Sequence, residues 1–331
     1  MIAPVPAEWA AHRAQWVGFP SHAGLWEESL GPAQAEVAAL ARTLAGPGGE
    51  SVRLVVRDEM AGRAAEALLE GVEGIEITPA VFGDIWLRDT GPIFTSARRA
   101  AAFRFNGWGG KYRLEGDEGV AETLARDDGA ALMRHDFVLE GGALDHDGAG
   151  TVLTTRQCLL NPNRNRGWTS GIAETALAGS LGARKTIWLG DGLMNDHTDG
   201  HVDNLARFVA PATVACPMAY GIDDPNAAVY DAAARTLAAS ADADGRRLKV
   251  VRFPSPGRTV DSNQRSLAAS HMNFLIANRA VVVPIYDERA GALAVEALET
   301  LFPDRSVIGL PSRALLTGGG SFHCISQQAP A

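Results

Sequence analysis

The sequence predicts an α/β protein whose strands and helices alternate along the whole chain and bring five polar segments to one site. Three observations carry this. Short runs rich in Val, Ile and Leu are separated by proline-free stretches rich in Ala, Leu and Glu, the composition of amphipathic helices. In five places a cluster of glycine and polar residues follows or interrupts an apolar run, where glycine lets the backbone bend sharply or approach a ligand closely. Gly and Pro are scattered, with no Ser/Gly- or Pro-rich linker, so residues 1–331 are expected to form a single domain.

In chain order, a helix is expected over Ala33–Leu44, a strand over Ser51–Val56, a helix over Asp58–Leu69 and a strand over Gly74–Ile77. A strand at Thr151–Thr154 and a helix at Ser170–Leu181 come next, then a strand at Arg207–Val214 and a helix at Ala227–Ala239. Strands at Leu248–Val251 and Phe274–Pro284, a helix at Ala290–Leu301 and a strand at Arg305–Leu310 complete the series. Alternation of this kind supports an α/β architecture and does not choose among α/β topologies.

Composition narrows the function classes. The chain has 331 residues, 46% hydrophobic and 21% charged, which suits a globular protein with a large core and excludes disorder as the main theme. With Lys+Arg 30 against Asp+Glu 39 and a net charge of −9, a sequence-independent grip on nucleic acid is excluded and a small cationic partner is favoured. Cys158, Cys216 and Cys324 are odd in number and far apart, with no CxxC pair, which fits a reducing cytoplasm. Met1–Trp16 lacks the apolar stretch of a signal peptide, and no apolar run reaches membrane-spanning length.

The five clusters are Asp84–Pro92, Glu140–Gly142, Asp199–Asn204, Ser270–Asn273 and Gly318–Cys324. Three consecutive glycines, Gly318 to Gly320, need a conformational or steric reason, and the loop they form could deliver Cys324 as a nucleophile. Taken alone, Cys324 reads equally as a small buried thiol. In an extended Thr198–Asn204 segment, His201 and Asp203 share a face and place an imidazole beside a carboxylate; a polar turn is the competing reading. Trp86, Arg88 and Asp89 surround a turn, either as site residues or as a core indole and a surface ion pair. Glu140, between two apolar residues and two glycines, needs a partner if buried. Together these supply Cys, His, Glu and two Asp in glycine-bounded settings. Cys158 and Cys216 read as core thiols, and His22, His135 and His146 carry no supporting constellation.

Six segments resemble agmatine deiminases and their porphyromonad-type peptidylarginine deiminase relatives in the pentein, or guanidino-group-modifying, superfamily. They are DIWLRDTGP at 84–92, FRFNGWGG at 103–110, VLEGGALDHDG at 138–148, TDGHVDNLARF at 198–208, SHMNFLIAN at 270–278 and GGGSFHCISQQAP at 318–330. PAEWAAHRAQWVGFP at 6–20 and LNPNRN at 160–165 add smaller matches, so the resemblance spans essentially the whole chain. It implies a five-bladed α/β propeller with pseudo-fivefold symmetry and an active site on the axis. It also implies Cys324 as nucleophile, His201 as general acid and base, Glu140 as its partner, Asp89 and Asp203 as guanidinium ligands, and Trp86 and Asn273 as further substrate-side residues. The activity implied is hydrolysis of agmatine to N-carbamoylputrescine and ammonia through a covalent amidino-cysteine intermediate, with no metal or organic cofactor, in a cytoplasmic homo-oligomer. The chemistry is coherent: a guanidinium is a delocalised cation and a poor electrophile, which two carboxylates can hold while its carbon faces sulfur.

The end of the substrate remote from the guanidinium is the open point. An ammonium wants acidic or aromatic surroundings, whereas the carboxylate of an arginine-type substrate wants Lys or Arg. His197 stands where agmatine-specific relatives are expected to carry a carboxylate, and His271 where many carry tyrosine. Lys111 and Arg113 follow the GWGG loop and would read a carboxylate if they faced the site. A second reading, from another class, makes His197, Asp199, His201 and Asp203 metal ligands of a hydrolase, with His323 and Cys324 nearby; the spacing is not HExxH.

Overall fold

One unit recurs in the computed structural model, which describes residues 2–331: a strand, a tight turn, an antiparallel strand, a helix, and a third strand parallel to the second. The first pair is adjacent in sequence and closes through a short turn, whereas the parallel pair needs the helical crossover. Ile93–Ser96, Arg99–Arg104 and Ala131–Val138 form one such sheet, with helix Val120–Asp127 in the crossover. Asp145–His146, Thr151–Thr155 and Lys185–Leu189 form the next, with helix Ser170–Leu181. Arg207–Ala210, Thr213–Met218 and Lys249–Pro254 follow with helix Ala227–Ala238, and Leu275–Ile276, Ala280–Ile285 and Ser306–Pro311 with helix Glu288–Leu301.

The fifth sheet joins the two ends of the chain. Ser326–Pro330 runs antiparallel to His12–Gly18, which is parallel to Val52–Val56, itself parallel to Ile75–Pro79. Helices Leu30–Ala45 and Glu59–Leu68 make its crossovers. Five small sheets of one pattern make the pseudo-fivefold propeller that the resemblance implies.

The helices form for the expected reason. Leu30–Ala45 buries Ala33, Val37, Leu40, Ala41 and Leu44 along one stripe, against Trp16, Val52 and Leu54 of its own sheet. It begins three residues before the expected start because Pro32 is tolerated in a first turn, where its missing N–H has no partner to lose. Asp58, expected inside a helix, is instead the cap of Glu59–Leu68 and accepts from the Ala61 amide at 2.9 Å.

Two expected strands are hairpins. Arg207–Val214 is broken at Ala212, whose φ of 52° reverses the chain between Arg207–Ala210 and Thr213–Met218. Phe274–Pro284 turns at Asn278 and Arg279 between Leu275–Ile276 and Ala280–Ile285. Both strands of each pair are largely buried, so the apolar pattern runs through the turn without a break. Among the described residues, no helix is long and apolar enough to cross a membrane.

Candidate active site

All five clusters lie just ahead of the first strand of a sheet, and they close into a ring. Asp89, in the short helix Leu87–Thr90, accepts from the Gly142 amide at 3.0 Å. The 3₁₀ turn Gly141–Ala143 faces Val202–Asn204, and Asn204 Oδ1 accepts from Asn273 Nδ2 at 3.0 Å. Asn273 Nδ2 lies 3.1 Å from Cys324 Sγ, and the Cys324 carbonyl accepts from the Arg88 amide at 3.0 Å, returning to the first cluster. Each side chain of the ring is thus set by a turn whose geometry the neighbouring turn fixes.

The triple glycine has a reason at each position. A Cβ on Gly318 would meet Trp26 Cη2 at 2.6 Å, and one on Gly320 would meet Trp86 Cζ3 at 2.5 Å. Gly319 has φ +108°, which L side chains rarely adopt. The loop therefore passes flat under two indoles and delivers Cys324, 6% exposed, to the floor of a pocket. Asn273 Oδ1 accepts from the amides of His323 and Cys324 at 3.0 and 3.2 Å and fixes the backbone there.

Asp203 and Asp89 flank the sulfur differently. Asp203 Oδ2 is 3.9 Å from Cys324 Sγ and 2.8 Å from His323 Nδ1, while its buried Oδ1 has no partner among the described residues. Burial opposes the charge of Asp203, but the bond to His323, with the charges of His323, His201 and Arg207, holds its carboxyl below the usual range. Asp89 Oδ2 accepts from Trp108 Nε1 at 2.8 Å. Burial pushes Asp89 up; Asp203 and Glu140 add to this, and His201 opposes it. The Cys324 thiol is pushed well above its ordinary value, first by burial and then by the negative charges of Asp203 and Asp89.

His201 is buried with its Nδ1 3.7 Å from Asp89 Oδ1, and among the described residues neither ring nitrogen has a hydrogen-bond partner. Burial favours the neutral ring, yet Asp89, Cys158 and Glu140 outweigh it and raise His201 well above the usual imidazole value. Glu140 Oε1 accepts from Arg164 Nε at 2.7 Å, and Oε2 has no partner among the described residues. It contributes a nearby charge to His201 rather than a bond. Cys158, expected as a core thiol, is fully buried and lies against His201: its sulfur, a Glu140 oxygen and a ring nitrogen of His201 are all within 4.8 Å of one another. Gly142 sits at the centre, where a Cβ would meet His201 Nδ1 at 2.6 Å, Asp89 Oδ1 at 2.9 Å and Asp203 Oδ2 at 3.1 Å.

The pocket above Cys324 holds about 270 Å³ and is walled by Trp26, Trp86, Trp108, Tyr112, Leu114 and His197, with Asp84 and Asp89 as its acids. Trp26 and Trp86 each donate an indole N–H to Asp84, at 2.9 and 2.8 Å. His197 forms part of the wall: its Nδ1 is 3.1 Å from the Tyr112 hydroxyl and the two rings stack. Among the described residues no Lys or Arg lines this pocket. Lys111 bonds the His197 carbonyl at 2.8 Å and Asp199 at 2.6 Å, and Arg113 lines a separate groove. His271 points away from the site to the Pro254 carbonyl and stacks on Tyr286; burial lowers it to about 4. Arg88 is buried and turned from Asp89 toward the His323 carbonyl and Gln328, so the surface-pair reading does not hold.

The metal-ligand reading is not supported. Asp199 is occupied by Lys111, Arg164 and Asn163. Among the described residues, the His/Cys/Asp/Glu group compact enough for one ion is Glu140, Cys158 and His201, not His197, Asp199, His201 and Asp203. Sequence reasoning assigned no role to Arg164, Trp108 and Glu8, and placed His323 only in the metal-ligand reading. The first three lie in the LNPNRN, FRFNGWGG and PAEWAAHRAQWVGFP segments, which offered a signal.

The model of the Porphyromonas-type peptidyl-arginine deiminase family matches residues 4–330. The agmatine deiminase of Pseudomonas aeruginosa (strain LESB58) is 36% identical, with 99% of this chain and 95% of that protein covered. Among solved structures, the agmatine deiminase of Enterococcus faecalis superposes with a TM-score of 0.91 at 31% identity, covering 99% of this chain and 95% of that one. A C. jejuni agmatine deiminase with substrate bound superposes with a TM-score of 0.88 at 26% identity, covering 98% and 95%.

Proposed function

Since the chain belongs to the Porphyromonas-type peptidyl-arginine deiminase family, we propose that it is a hydrolase of the agmatine deiminase type, converting agmatine and water to N-carbamoylputrescine and ammonia. The observation that carries the choice of substrate is the pocket wall. Apart from Asp89 it offers aromatic faces and the acid Asp84 with no Lys or Arg among the described residues, which suits a tail ending in ammonium and leaves a carboxylate tail unpaired.

In this reading Asp89 and Asp203 take the N–H edges of the guanidinium and set its carbon over Cys324. The substrate's positive charge offsets the two carboxylates that, after burial, raise the thiol, and so favours thiolate where attack occurs. Sulfur bonds to the guanidinium carbon. His201, whose surroundings favour the imidazolium, protonates the departing nitrogen as the C–N bond breaks, and ammonia leaves an amidino-thioether on Cys324. The neutral imidazole then takes a proton from water as its oxygen attacks the same carbon, and cleavage of the C–S bond releases the ureido product. Glu140 acts on His201 through its charge, and Asn273 steadies Cys324 through its backbone and sulfur contacts. The acidic character of the chain and its three free cysteines fit a cytoplasmic enzyme.

Ammonia release from agmatine, free arginine and a peptide ending in arginine, with wild type and Cys324→Ala, tests the proposal. Cysteine-dependent release selective for agmatine is expected. Full turnover by Cys324→Ala would remove the covalent step, and preference for arginine would overturn the reading of the pocket wall.

A further inference from the structure

The residue before the proposed nucleophile sits between two carboxylates. His323 is 2% exposed, with Nδ1 2.8 Å from Asp203 Oδ2 and Nε2 3.1 Å from Glu8 Oε2. An ionised carboxylate only accepts, so a proton on each ring nitrogen satisfies both neighbours. The chain of charge continues inward. Glu8 pairs with Arg207 through the oxygen that faces His323, and its other oxygen accepts from the Ile276 amide at 2.7 Å. Arg207, fully buried, donates to Asp145 at 2.8 Å and to the Phe274 carbonyl at 3.0 Å.

The two ends of this chain of contacts differ. Glu8, Arg207 and Asp145 are held on several sides by backbone that joins different sheets. Among the described residues Asp203 is held through Oδ2 alone, and its buried Oδ1 has no partner. A carboxylate tethered at one oxygen has its plane fixed and one acceptor to offer. Without that tether, rotation about its side-chain bonds would carry Oδ2 from its place 3.9 Å from the sulfur and turn the free oxygen with it.

We propose that His323 is a positioning residue, anchored by Glu8 and Arg207, which orients Asp203 so that one of its oxygens faces the substrate guanidinium. The inference rests on the deiminase reading for the role of Asp203. It makes residue 8, outside the five clusters, part of the control of substrate geometry.

Two substitutions separate positioning from mere packing. In His323→Asn the amide nitrogen falls at the place of Nδ1, so the bond to Asp203 survives and that to Glu8 is lost. In His323→Gln the amide reaches the place of Nε2, so Glu8 is served and Asp203 is released. Positioning predicts a rise in KM for agmatine of roughly 100-fold in His323→Gln, the scale of a small misplacement of a binding group, with KM recovered to within about tenfold of wild type in His323→Asn. Melting temperatures of both variants identify loss of fold. Agmatine titrations in a Cys324→Ala background give the binding constant without turnover, and should show the same order.

Equal loss of affinity in the two variants, or loss that follows melting temperature alone, would overturn the proposal. Failure of the underlying reading is distinguishable because it shows in the parent proteins: wild type would turn over no guanidine and Cys324→Ala would bind none, which would overturn the positioning role as well.

Discussion

Asp203→Asn should inactivate the enzyme and yet make its thiol more reactive. The substitution removes a negative charge 3.9 Å from Cys324 Sγ, in a site where the thiol is raised by burial first and by Asp203 next. Two unit charges at that distance interact with about 4 kcal/mol at an effective dielectric of about 20. Relief of that repulsion corresponds to roughly a thousandfold more thiolate at neutral pH, since about 1.4 kcal/mol is a factor of ten. A less basic thiolate is also a weaker nucleophile, with a Brønsted slope of about 0.4–0.5, so roughly half of the logarithmic gain survives. Alkylation of Cys324 by iodoacetamide at pH 7 should therefore be at least about tenfold faster than in wild type, while turnover of agmatine falls by about 100-fold or more. Cys158 and Cys216 are fully buried, and peptide mapping assigns the label. Alkylation no faster than in wild type would show that Asp203 puts no negative charge against the sulfur and would remove it as an electrostatic partner of the thiol.

Gly142→Ala places a methyl 2.6 Å from His201 Nδ1 and 2.9 Å from Asp89 Oδ1, so kcat/KM should fall by about 100-fold or more, the penalty of misplacing catalytic groups. Gly179→Ala, inside helix Ser170–Leu181 with nothing within 4 Å of its Cβ, should leave activity unchanged and stabilise by about 0.5–1 kcal/mol in a denaturant titration; similar behaviour of the two variants would refute the steric account. Asp117 is raised by burial to about 6 from 3.8, so folding is progressively penalised as pH rises from 3.8 to about 6, approaching about 3 kcal/mol above that window. Asp117→Asn lacks this slope: its stability relative to wild type should be higher at pH 7 than at pH 4 by up to that amount, and a difference independent of pH would exclude the burial of an ionised carboxylate there.

Where the sequence was legible, local pattern and tertiary role agreed. Val52–Val56 and Thr151–Thr155 are buried on both faces and read as apolar runs. Ala131–Val138 is largely exposed or half-buried and carries Arg134, His135 and Asp136, so its pairing with Arg99–Arg104 left no apolar signature. Ser326–Pro330 is polar in composition and is a strand because His12–Gly18, at the other end of the chain, supplies its ladder. The site divides in the same way. Cys324, His201, Asp89, Asp203 and Glu140 were visible because each lies in a short glycine-bounded cluster. Their partners were not: Glu140 bonds Arg164, 24 residues on, and His323 reaches Asp203 across 120 residues and Glu8 across 315. Such pairs form when the ring of sheets closes, and no local spacing encodes them.

The same residue type serves opposite ends within this network, and hydrogen bonding separates them. Asp145 is buried and complete: Oδ1 accepts from Arg207 and Oδ2 from the Phe208 amide. Asp203 is equally buried and half complete, as is Glu140, and His201 lacks a bond on both nitrogens among the described residues. A buried polar group without a partner costs about 1–3 kcal/mol, so a scaffold gains nothing by leaving Asp203 Oδ1, Glu140 Oε2 and both His201 nitrogens unbonded among the described residues. The bonded oxygens of Asp203 and Glu140 restrict the rotation of each group and leave its other oxygen as an acceptor that a cation can engage. Stability alone would favour the fully bonded pattern of Asp145. The unmet acceptors of Asp203 and Glu140 therefore point to a site organised for a cationic ligand, with Gly142 leaving the space in which His201 Nδ1, Asp89 Oδ1 and Asp203 Oδ2 come together.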